Sequence, residues 1–171
     1  MKKRVLPLLI TAVLILLSCE QDSGSSMNED YAGTWYDFEV DNLGKMEDID
    51  KWILSDSTYE NHYMDFYSSK TEYEPVAKGT IEKKDDDTLI FTPTHLYATS
   101  EIIADSPELK GQSPGWFTEE QLLEFGFNAI YISEEYEAWE WDYSISGNEM
   151  TMVVPEDPDY PKTLATTEPD Y

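Results

Sequence analysis

Between Tyr136 and Ile145 the chain alternates with a period of two. Trp139, Trp141, Tyr143 and Ile145 occupy one set of positions, and Glu140, Asp142 and Ser144 the other. A pleated strand sends successive side chains to opposite faces, so this pattern puts every large apolar group on one side. A helix would scatter the same residues around its circumference. Gly147-Asn148 follows, the residue chemistry of a two-residue hairpin turn, and Glu149 to Val154 returns as the second strand. The segment demands an antiparallel sheet with one buried face.

The rest of the chain extends that reading. Thr34 to Val40 is aromatic and β-branched, with Asp37 and Glu39 alternating against Tyr36, Phe38 and Val40. Lys51 to Leu54 and the tyrosine-rich Ser57 to Tyr67 read as further strands. Val76 to Lys83 and Thr88 to Thr94 flank Lys84-Asp85-Asp86-Asp87, a hairpin turn by composition. Thr163 to Thr167 reads as a short last strand after the proline-rich stretch Pro155 to Pro161. Thr118 and Gln121 have capping-box spacing, Phe117 is placed to staple onto Leu122, and Gly126 supplies an exit. That predicts one helix of about two turns, fed by a loop over residues 98–117. Seven or eight short strands in sequential hairpins, with one short helix in a long inter-strand insertion, imply an all-β fold. An up-and-down antiparallel barrel or a sandwich satisfies the pattern.

Charge narrows the function. The 171 residues include 36 acids and 11 bases, a formal charge of -25. Sequence-independent nucleic-acid binding depends on Lys and Arg neutralising phosphates, so no nucleic-acid partner is expected. One cysteine cannot form an intramolecular disulfide, and it is too few for a zinc cluster.

That cysteine has a telling position. Lys2, Lys3 and Arg4 precede an almost wholly apolar run from Val5 to Leu17, the layout of a secretory signal too short to span a bilayer comfortably. The run closes on Leu16-Leu17-Ser18-Cys19, which resembles the lipobox of bacterial lipoproteins. The resemblance implies diacylglyceryl transfer to the Cys19 thiol and cleavage after Ser18, and it implies a bacterial cell-envelope address, with the outer membrane as the expected one. Residues 1–18 are then the signal peptide, residues 19–30 a flexible tether, and residues 31–171 one domain. Cleavage removes three bases and no acid, so the charge deepens from -25 to -28, and the only arginine, Arg4, is lost. A chain this acidic repels anionic membrane, leaving the lipid as its membrane contact.

Gly33-Thr34-Trp35 resembles the Gly-x-Trp motif of lipocalins and the wider calycin group, in which the tryptophan plugs the closed end of an eight-stranded barrel. Lys78-Gly79-Thr80-Ile81, with Asp87 to Thr94, is similar to a hairpin of small bacterial lipocalin-like lipoproteins. Trp141 to Asn148 is similar to another of their hairpins. The resemblance covers about Tyr31 to Val154 and implies a lipocalin-like barrel with a concave interior. Lipocalins proper also set an arginine from the last strand over the motif tryptophan; the mature chain has none.

Candidate sites follow from the strand faces. Tyr59, Tyr63, Trp139, Trp141 and Tyr143 lie where alternate faces meet inside a barrel, either as core or as the lining of a pocket. Asp85-Asp86-Asp87 and Glu134-Glu135 with Glu137 lack calcium-loop spacing, so no metal is expected. His62 and His95 have no Cys or second His nearby, and no Gly-x-Ser-x-Gly elbow is present. The sequence thus predicts a non-catalytic, cofactor-free lipoprotein whose barrel binds a small apolar ligand, neutral or cationic. The alternative is a filled barrel that meets a protein partner, and the state of the interior separates the two.

Overall fold

The computed structural model describes residues 30–67, 72–155 and 157–170, with 157–160 through their backbone alone. Residues 1–29, on which the expected signal peptide, Cys19 and most of the expected tether fall, lie outside the described residues.

Nine strands form one antiparallel sheet: β1 (Gly33–Val40), β2 (Met46–Leu54), β3 (Thr58–Asp65), β4 (Glu74–Lys83), β5 (Thr88–Ala98), β6 (Gly115–Phe117), β7 (Trp139–Ser146), β8 (Glu149–Val154) and β9 (Asp157–Ala165). Their order is β4-β3-β2-β1-β9-β8-β7-β5-β6, and β4 also pairs with β5. That second pairing closes eight strands into an up-and-down barrel, with the three-residue β6 added along the end of β5. Closure leaves no free edge in the barrel proper. The seam between first and last strands is thin: β1 meets β9 at the single register pair Tyr36↔Ala165.

The hairpins form where turn chemistry places them. Ser146 pairs with Glu149 across Gly147-Asn148, and Gly147 takes φ +64°, a conformation that a side chain disfavours. Between β4 and β5 the register shifts at Lys78/Gly79. A Cβ on Gly79 would stand 2.0 Å from the Thr92 carbonyl oxygen, so only glycine lets the backbones approach this closely.

Several strands run longer than their patterns predict, three of them by four residues or more. β2 begins at Met46 rather than Lys51, β5 continues to Ala98, and β9 occupies the stretch read as a proline-rich connection. Proline withholds a ladder N–H, yet β9 tolerates it because its pairing with β8 is broken by a register shift and its pairing with β1 is minimal.

The core fills the barrel from its Gly33 end. Trp35, Trp52, Leu54, Tyr59, Ile81, Leu89, Phe91, Tyr143, Met150, Met152 and Leu164 are buried together. Trp35 donates through Nε1 to the Tyr31 carbonyl at 2.8 Å, and the Tyr31 hydroxyl donates to the Asp56 carbonyl at 3.0 Å. This ties the segment before β1 across the turn from β2 to β3, at the end where the motif resemblance places a plug. On the opposite face of β1–β3, Tyr36, Ile49 and Met64 form a small separate core.

The insertion between β5 and β7 carries three short helices where the sequence reading gives one. They are α1 (Ser100–Asp105), α2 (Glu119–Glu124) and α3 (Ala129–Glu135), with a 3-10 turn at Pro107–Leu109. The capping box of α2 forms as read: Gln121 N–H donates to Thr118 Oγ1 at 3.3 Å, and Thr118 N–H donates to Gln121 Oε1 at 2.9 Å. Thr99 caps α1 and Asn128 caps α3, each accepting from a first-turn N–H. Ala98, Leu109, Phe117, Leu122 and Ile132 bury against one another, and Leu96 joins this second core to the barrel core.

Candidate functional site

The period-two rule sets the barrel lining. Trp35 faces the core from β1, and so its strand mates Asp37 and Glu39 share that face. Opposite them in register stand Trp52, Asp50 and Asp48 of β2, and then Asn61, Tyr63 and Asp65 of β3. Along these strands the inward face therefore changes from aromatic to acidic, moving away from the Gly33 end. Phe38 and Val40 point outward and are 44% and 50% exposed. The acids of β1 thus take the inward positions and the upper apolar residues the outward ones.

In the aromatic half, four rings touch one another. Tyr59 stands 5.3 Å from Phe91, 6.1 Å from Trp52 and 6.3 Å from Trp139, centroid to centroid. Phe91 stands 5.9 Å from Trp52 and 6.3 Å from Trp139. Three of the four rings carry a polar atom, and all three of these atoms, Trp52 Nε1, Tyr59 Oη and Trp139 Nε1, are buried without a hydrogen-bond partner. Burial raises the Tyr59 phenol pKa, keeping the hydroxyl neutral. An orphaned buried donor costs about 1–3 kcal/mol, so three in one cluster are a standing demand for acceptors.

In the acidic half, Lys162 of β9 reaches in. Its Nζ lies 3.1 Å from Asp37 Oδ2 and 3.4 Å from Asp50 Oδ2. Asn61 Nδ2 donates to Asp50 Oδ1 at 3.4 Å, and Tyr63 Oη donates to Asp48 Oδ2 at 3.4 Å. Asp48 has its pKa raised, by burial first and then by the charges of Glu39 and Asp50. One lysine beside four carboxylates leaves the potential negative.

The five sequence-predicted lining residues separate. Tyr59 and Trp139 meet in the ring cluster, and Trp141 packs against the same core. Tyr143 sits edge-on to Tyr31 at 6.0 Å, with its hydroxyl donating to Asp30 Oδ1 at 2.9 Å. Tyr63 lies instead among the acids, 37% exposed. Sequence reading missed Trp52, Phe91, Asn61, Lys162 and the acidic positions. The signal for the acids was present, because Asp37 and Glu39 follow Trp35 at intervals of two.

The two histidines are hydrogen-bonded on the sheet exterior. His62 Nε2 lies 2.8 Å from Glu60 Oε1, and His95 Nδ1 lies 3.0 Å from Thr94 Oγ1. Burial, and then the Lys78 charge, lower the His95 pKa. A groove of about 380 Å³ runs past His95, lined by Ile53, Thr58, Glu60, Lys78 and Thr94. A hollow of about 190 Å³ lies under the insertion. Of the five sequence-predicted lining residues, Tyr59 also lines the groove, whereas Tyr63, Trp139, Trp141 and Tyr143 wall neither.

Neither a family model nor a curated protein matches the chain. The protein is a closed eight-stranded antiparallel barrel, with an aromatic interior at one end and an acidic lining at the other.

Proposed function

We propose that this protein is a lipid-anchored lipoprotein of the bacterial envelope whose lipocalin-like barrel binds a small, mostly apolar ligand, neutral or cationic, without catalysis. One observation carries the reading: three buried polar atoms without partners on rings that pack together inside the barrel. Two indole N–H donors and a phenol favour a ligand that offers acceptor atoms on an apolar body. The acidic lining of β1 and β2 and the raised Asp48 pKa favour neutral or cationic ligands over anions. The lipid anchor rests on the Cys19 context in the sequence.

Two experiments test it. Native mass spectrometry of the domain purified from its own host should show co-purified mass, and Trp139→Phe, which removes the indole N–H and leaves a smaller aromatic ring, should weaken retention of that mass. Detergent partitioning should lose Cys19→Ala to the aqueous phase, and an unchanged partition would remove the anchor. With no co-purified mass, and tryptophan emission unmoved by apolar dyes, water satisfies the three atoms and the interaction reading leads. That second reading is favoured by Ile130 and Tyr131 on α3, which are 68% and 69% exposed.

A further inference from the structure

The β5–β7 insertion makes a second place for a ligand. β5 changes phase at the register shift near Gly79, so Leu96 and Ala98 come to share a face with Phe117 of β6. The helices pack on that face, and the packing is incomplete. A hollow of about 190 Å³, open on one side, remains between Leu96, Ala98, Leu109, Phe117, Leu122 and Ile132, with Tyr97 and the 46% exposed Ile102 also on its lining.

Its walls are apolar and ask for no hydrogen bond. The Tyr136 hydroxyl, which stitches this region together, is used twice: it donates to the Phe117 carbonyl at 2.6 Å and accepts from the Leu96 N–H at 3.2 Å. Burial pushes its pKa up to about 12, so it brings no charge. Among the described residues, the buried side-chain polar atoms that lack partners sit on Trp52, Tyr59 and Trp139, none of which walls the hollow. Water held in a cavity needs two to four polar partners, and these walls are almost wholly apolar, so water entering from the open side is held weakly. An engineered cavity of about 150 Å³ with Leu, Ile and Phe walls stays dry and admits benzene. The hollow here has walls of the same chemistry and a slightly larger volume, and it is open on one side.

We propose that this hollow is a binding site for a free small molecule carrying one neutral hydrocarbon ring, which it holds by burial and dispersion alone. The site does not rest on the barrel reading, since it has its own walls and a different ligand chemistry. A charge or an unmet donor turned toward these walls is disfavoured, because burying such a group without a partner is unfavourable.

Toluene is the probe, and the full mature chain is the protein. Melting temperature should rise with toluene concentration, as it does for any ligand that binds only the folded state. Methyl resonances of Leu96, Leu109, Leu122 and Ile132 should shift together, while those of Leu89 and Ile81 in the barrel stay in place. Ala98→Leu adds bulk to the wall and should abolish both effects. If that variant fails to fold, the methyl map of the unaltered protein decides alone. The proposal is overturned if toluene moves no insertion methyl, if the shifts fall on the barrel residues, or if a folded Ala98→Leu responds as the parent does. A barrel without a ligand leaves every one of these readouts unchanged, so failure of the two ideas is distinguishable.

Discussion

Trp35 shows how one side chain can hold two chain segments. It is 3% exposed, packs in the main core, and uses its only donor on the Tyr31 carbonyl. Trp35→Ala removes a large buried side chain and frees that carbonyl, so stability should fall by about 3–5 kcal/mol in urea denaturation. A loss well under 1 kcal/mol would mean that the Gly33-Thr34-Trp35 match has no structural weight. Asp48 makes the opposite prediction. Its pKa is raised in the folded protein, by burial and by Glu39 and Asp50, so the native state holds that proton to a higher pH than the unfolded chain does. Its contribution therefore turns unfavourable as pH rises from the ordinary carboxylate value of 3.8 through the higher folded value. Asp48→Asn should be more stable than the parent at pH 7, and the gap should close as pH falls toward 4. Urea midpoints at the two pH values check this, and a gap independent of pH would refute it.

Elements were legible where a local pattern and the tertiary environment agreed. The β7–β8 hairpin is such a case: alternation, turn residues and register all point one way. β9 was not, because Pro158 and Pro161 read as loop, and only its position beside the seam makes them tolerable. α3 escaped notice for two reasons. Ala129–Glu135 holds Ile130, Tyr131 and Ile132, residue types that favour strands, and its last turn carries Glu134 and Glu135 against the helix dipole. Its one helical signal was Asn128, whose side chain accepts from the Ile130 N–H at 2.9 Å. The candidate site divided along the same line. Its aromatic half could be read from alternation, whereas its acidic half was hidden because carboxylates so numerous read as surface. For α2 the signal was local and complete, and a test follows. Thr118→Ala should cost about 1 kcal/mol through the lost cap. Amide exchange should quicken in α2, while β7 and β8 keep their protection.

At the scale of the whole molecule, the barrel is continuous in hydrogen bonds but uneven. β2 matches β1 over eight register pairs and β3 over seven, whereas β1 and β9 share the single pair Tyr36↔Ala165. Such a ring opens at its weakest joint. Local opening there should be the lowest-energy excursion from the native state, so the amides of β9 should exchange before those of β2 and β3 under native conditions. Equal protection around the ring would contradict this. The thin seam also bears on how the chain can be made. The strands from β1 to β8 are complete before β9 exists, so a chain emerging N-terminus first passes through a curled, open sheet with two raw edges. One belongs to β1, and its outward residues Phe38 and Val40 are apolar. That interval is when pairing with a neighbouring chain competes with pairing within the chain, and the last nine-residue strand ends the contest.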